Sequence, residues 1–165
     1  MPTTVETDSA ESWGRLAQAC AQVDAPVHLP RIKPWPLSKP QQVAAAASVL
    51  TGLADSGESY RVPDWITAQK LRLWAVHPER MPSTARYAEI LRAYLLIGGT
   101  IDDDVRQAVA LSVDTRWHCP QLPDLYKASA NDGCDFKASW EVWKLKILLD
   151  GRRPVSKAVG GSTGK

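Results

Sequence analysis

No stretch of this chain approaches the roughly 18 consecutive apolar residues that a membrane-crossing helix needs. Neither sign of charge dominates: 20 Lys and Arg stand against 18 Asp and Glu, a formal net charge of +2. A field that weak argues against wholesale nucleic-acid binding. Cysteine is scarce. Cys20, Cys119 and Cys134 form an odd set without the short, regular spacing of a disulfide scaffold, and they read as reduced thiols in a cytoplasm. The first twelve residues contain Glu6, Asp8 and Glu11 and no apolar run, so they do not read as a secretory signal. Convincing strand alternation and internal repeats are missing as well.

What is present suits one globular unit. The chain has 165 residues, of which 44% are hydrophobic and 23% charged, enough apolar side chain to build a core. The abundance of alanine and the preference for arginine fit a GC-rich bacterial or phage genome.

Apolar residues recur at helical spacing in several segments. Trp13, Leu16, Ala17 and Cys20 share a face over 9–22. Pro26, Pro30, Pro34, Pro36 and Pro40 then remove donors and fix φ, which predicts an extended arm over 26–40. Ser38 is placed to cap a helix reaching about Ala54, whose small run Ala44 to Ala47 lets a neighbouring helix come close. A segment from Asp64 to Val76 is apolar around most of its circumference and is expected to be central. Ser83 or Thr84 opens a clean amphipathic helix ending at Gly98 and Gly99, and Thr100 opens the next, with Ile101, Val105, Ala108, Val109 and Val113 as its stripe. So short a link predicts that these two pack as an antiparallel pair. A short helix near 124–130 and a last one over 137–149 follow. The expected fold is all-α, an orthogonal bundle of six or seven short helices with a proline-rich arm. Residues 1–8 are expected to be flexible, 9–151 to form the domain, and 152–165 to be a disordered basic tail.

Candidate chemistry is thin. The closing Gly160-Gly161-Ser162-Thr163-Gly164-Lys165 lacks the first glycine of a phosphate loop and has no helix after it. His118, Cys119 and Cys134 lack a fourth ligand for zinc. Asp102, Asp103 and Asp104 diverge by about 100° per residue on a helix and sit where negative charge meets the positive end of the dipole, which is a capping role. The only neighbouring nucleophile and base are Cys119 and His118, and adjacent side chains rarely face each other. No catalytic residue, cofactor or metal is assigned.

Tryptophan is the unusual feature. Of seven, Trp13, Trp65, Trp74 and Trp117 read as core. Trp35, between Pro34 and Pro36 and near Arg31 and Lys33, is either a buckle for the arm or an exposed contact. On the last helix Ala138, Val142, Leu145 and Leu149 form one apolar stripe, and Trp140, Trp143 and Ile147 form a second on the opposite side. A terminal helix needs only one. From Lys137 onward seven Lys and Arg outnumber Glu141 and Asp150, a local excess of five positive charges. The expected function is therefore a non-catalytic helical binding or regulatory protein, an accessory factor whose partner is another protein. The contact residues are Trp35, Trp140, Trp143, Lys144, Lys146, Ile147, Arg31 and Lys33. The alternatives are a nucleic-acid-binding factor in replication, transfer or transcription control, and an enzyme whose site is assembled from distant residues.

Overall fold

The computed structural model describes residues 4–57 and 61–150, and within them the chain is mostly helical. Six α-helices follow one another: α1 (Thr7–Gln22), α2 (Pro40–Asp55), α3 (Ala68–Ala75), α4 (Thr84–Leu96), α5 (Asp103–Ser112) and α6 (Phe136–Leu149). Four two-residue strands accompany them. β1 (Thr4–Val5) pairs in parallel with β2 (Arg31–Ile32), and β3 (Tyr126–Lys127) pairs antiparallel with β4 (Cys134–Asp135).

The centre is α2. Every residue from Val43 to Leu53 is buried. Its alanines and Gly52 leave no bulk to hold neighbours away, so α1 lies against one side and α4 against another. At the α1–α2 crossing a Cβ placed on Gly14 would stand 2.3 Å from the Ser48 carbonyl oxygen. Only a residue without that carbon allows the two backbones to meet so closely. The central position expected for 64–76 thus belongs to α2 instead. The helix there begins only after Thr67, whose hydroxyl accepts from the Lys70 amide, and it leaves Leu73 61% exposed. Small side chains on every face suit encirclement better than large ones, because the neighbours can approach from several directions.

Capping sets the helix starts. Before α2, the Gln42 side chain accepts from the amides of Ser38 and Lys39, so the signal lies one residue beyond the expected Ser38–Gln41 pair. Ser83 accepts from the Arg86 amide at the head of α4. Asp102, rather than Thr100, opens α5 by accepting from Val105. Asp135 opens α6 by accepting from Lys137 and Ala138. After Gly98, whose φ of +89° ends α4, the chain turns so that α5 does not lie along α4; α2, α3 and α6 already cover α4. The expected antiparallel pair is not formed.

Three further expectations are corrected. Residues 124–130 make β3 and turns in place of a short helix: Tyr126 pairs with Asp135, and His118 bridges to Tyr126. Flexibility does not extend from Thr4 onward, because Val5 is fully buried and the Lys33 amide donates to its carbonyl. Cys119 and Cys134 are joined by a disulfide, which leaves Cys20 as the free thiol. Fifteen residues separate the pair, and only the common pairing of residues 118 and 135 with Tyr126 brings the two sulfurs together. The tail 152–165 lies outside the described residues. Within them, no helix is long and apolar enough to cross a membrane.

Candidate interaction face

α6 carries the expected double stripe. Ala138, Val142 and Leu145 are buried, and Leu149 packs against the core. On the opposite side Trp140 is 55% and Trp143 50% exposed, and their rings stack with centroids 4.7 Å apart. Phe136, 81% exposed, extends the stripe by one turn, and half-buried Ile147 closes it. The sequence reading missed Phe136 because it began the helix at Lys137. The spacing 136, 140, 143, 147 is the signal that finds it.

The base of α6 is braced from below. Ser139 Oγ accepts from the Tyr126 amide at 2.8 Å and donates to the Asp135 carbonyl. The Lys146 ammonium donates to the Tyr126 hydroxyl at 2.6 Å and lies 4.9 Å from the centre of its ring, a cation–π contact. Lys144 pairs with Glu141 at 2.8 Å. Lys137 is exposed at the head of the helix. One helical turn is about 360° in 3.6 residues, which sets Lys137 and Lys144 along one flank of the aromatic stripe and Lys146 along the other.

The remaining expected contact residues lie elsewhere. Trp35 is only 8% exposed; its indole donates to the Gln42 carbonyl at 2.9 Å and meets Trp65 edge-on at 4.6 Å. Trp74 likewise donates to the Leu37 carbonyl. These two indoles fasten the proline-rich segment to α2 and α3, so Trp35 is a buckle and not an exposed contact. A ring with no flexible backbone around it, between two prolines, loses little entropy on being buried. Arg31 is exposed on β2, and Lys33 pairs with Glu6. Residues 31–35 pack with β1, α2 and Trp65, whereas α6 rests on α4 and the β3–β4 hairpin.

A shallow cleft of about 250 Å³ opens beside α6, lined by Gln18, Thr51, Glu89, Arg92, Glu141 and Lys144 among others. Burial pushes the Glu89 carboxyl up, opposed by the Ser48 hydroxyl and the Arg86 guanidinium. The cations pair with carboxylates: Arg92 with Asp55, Lys144 with Glu141, and Arg86 with Glu11 and Glu89. No serine, cysteine or histidine lines this cleft; its Thr51 hydroxyl accepts from the Gln18 amide and donates to the backbone of its own helix, and its Lys144 ammonium is paired with Glu141. The one nucleophile–base adjacency, His118 with Cys119, is closed because Cys119 sulfur is bonded to Cys134. Among the described residues no three His, Cys, Asp or Glu side chains gather as a metal site. Asp102 and Asp104 both hold Arg72, at 2.7 and 2.8 Å. The hydrogen bond from Arg72 keeps the Asp102 carboxyl below its ordinary range.

No protein-family model matches the chain, and neither does any curated protein or solved structure.

Proposed function

We propose that the protein is a non-catalytic binding or regulatory factor that holds a macromolecular partner on the outer face of α6. In this reading the helices form an orthogonal bundle, and residues 26–40 are an arm that stiffens it. The observation that carries the proposal is the exposure of Phe136, Trp140 and Trp143 in one continuous stripe. Large aromatic side chains left together in water are enriched where partners dock, because covering them yields much apolar burial at low side-chain entropy. The other half of the expected surface, around Trp35, is left out.

The test compares the full chain with Trp143→Ala and Trp140→Ala/Trp143→Ala as bait in native extract, scoring captured protein and nucleic acid. A partner lost from both variants, with unchanged circular dichroism and melting, supports the reading. Unfolding of Trp143→Ala, or capture that ignores both substitutions, defeats it.

A second reading, nucleic-acid binding, draws on the stacked indoles and the lysines beside them, since bases stack on aromatic faces while cations meet phosphates. Fluorescence anisotropy with labelled DNA and RNA over a salt series separates the two. Phosphate contacts give affinity that falls steeply with salt. A cytoplasmic location is not part of either reading, because the Cys119–Cys134 bond persists best in oxidising surroundings.

A further inference from the structure

We propose that the Cys119–Cys134 disulfide is a reversible redox latch. A dithiol reductant opens it through the Cys134 sulfur, and opening frees β4 and the first turn of α6 while the rest of the bundle stays folded. The proposal stands apart from the docking reading and holds whatever α6 binds.

The two bonded cysteines differ in access. Cys119 is fully buried, whereas Cys134 is exposed. A thiolate must reach the sulfur that it attacks, so exchange begins at Cys134, and exposed disulfides are the labile class. One thiolate of the reductant bonds to Cys134 Sγ. The S–S bond breaks, and its electron pair leaves with Cys119 Sγ, which takes up a proton. The second thiol of the reductant, as its thiolate, then attacks the mixed disulfide and expels the Cys134 thiolate. The protein gains two electrons and two protons, and the dithiol departs as a disulfide.

Burial decides how far the opening spreads. Ala130 to Lys137 are exposed without interruption, and none of them belongs to the hydrophobic core. β4 adds only two residues to a two-strand ladder, and a hairpin of that size does not hold itself together in water. The bond to buried Cys119 is therefore the firmest tie of this run to the body. Asp135 follows Cys134 directly, and its carboxylate accepts from the Lys137 and Ala138 amides. The strand that the disulfide fixes thus also places the cap of α6. β3 is held independently: Tyr126 is buried, and the Ala128 carbonyl accepts from the Thr84 amide. The buried run Val43 to Leu53 of α2 is packed by α1 and α4, with no contribution from β4. Reduction accordingly loosens 130–138 and spares the centre.

Two measurements on the full chain test this. Brief exposure to glutathione, acid quenching and peptide mass spectrometry locate the mixed disulfide. It should sit on Cys134, with Cys119 free; an adduct on Cys119 overturns the proposal. Amide hydrogen exchange is then followed in the oxidised chain, in the same chain in dithiothreitol, and after reoxidation. Exchange over 130–138 should accelerate about tenfold or more on reduction and return on reoxidation, while α2 keeps its protection. Unchanged exchange over 130–138, an equal acceleration in α2, or failure to recover on reoxidation overturns it. Cys119→Ser/Cys134→Ser should show the fast exchange without reductant and ignore dithiothreitol. Should that variant not fold, reduction of the wild-type chain decides alone, since it needs no substitution.

Discussion

Gly14→Ala sets two physical effects against each other. Alanine is the better helix former by about 1 kcal/mol, so propensity alone makes the variant more stable. Gly14, however, lies at the crossing of α1 and α2. The added Cβ would sit 2.3 Å from the oxygen and 2.7 Å from the carbon of the Ser48 carbonyl. Both are backbone atoms of a helix buried on all sides, so no rotamer change relieves the overlap. The helices must separate by about 1 Å to restore ordinary contact, and overpacking of that kind costs roughly 1–3 kcal/mol or more. With the clash at the upper end, the net is destabilisation by about 2 kcal/mol, or about 4–8 °C in Tm for a chain of this size. Urea denaturation followed by circular dichroism at 222 nm measures it. Gly133→Ala, where a Cβ meets nothing within 4 Å, is the control and should stay within about 0.5 kcal/mol of wild type. A Gly14→Ala midpoint equal to or above wild type would refute the close-crossing argument.

Cys134→Ser opens a loop of fifteen residues, and the chain-entropy account gives a loss of up to about 3 kcal/mol; dithiothreitol should lower the wild-type urea midpoint to that of the variant and leave the variant itself unmoved. Glu89 has its folded carboxyl pushed up by burial, so its contribution to stability is greatest in acid and declines as pH rises past the unfolded value. Glu89→Gln should therefore flatten that decline, seen as a smaller drop in Tm between pH 4 and pH 7. Asp102 works in the opposite sense: held low by Arg72, it stabilises the fold at neutral pH and loses that effect as pH falls through its folded value. Asp102→Ala should reduce stability at pH 7 and narrow its difference from wild type near pH 2. Tyr87 is buried and its hydroxyl donates to the Ala75 carbonyl at 2.6 Å, so Tyr87→Phe should cost about 1 kcal/mol by calorimetry without altering capture by α6.

Much of the helical content was legible because it depends on local periodicity. The faces of α4 and α6 follow from which residues recur every three or four positions, and a helix shows that pattern whatever it packs against. The second stripe on α6 was visible for the same reason, apart from Phe136, which a one-residue error at the helix start concealed. The β3–β4 hairpin was not legible, since two-residue strands carry no period and Tyr126 reads equally well as a helical residue. Trp35 illustrates another limit. Its neighbours in sequence describe a proline-rich segment but give no indication that Trp65, thirty positions on, lies edge-on against it.

By itself, the order of amino acids determined where most of the helices form, where prolines and glycines interrupt them, and that α6 has apolar residues on two sides. Only the tertiary structure decided which helix is central, which cysteines are bonded, and which of the two stripes on α6 stays in water. Local propensity acts over one or two turns of chain, whereas burial and pairing depend on what distant segments bring to the same place. The small side chains of α2 draw α1 and α4 inward, and among the described residues Trp140 and Trp143 stay about half exposed on the outer face of α6.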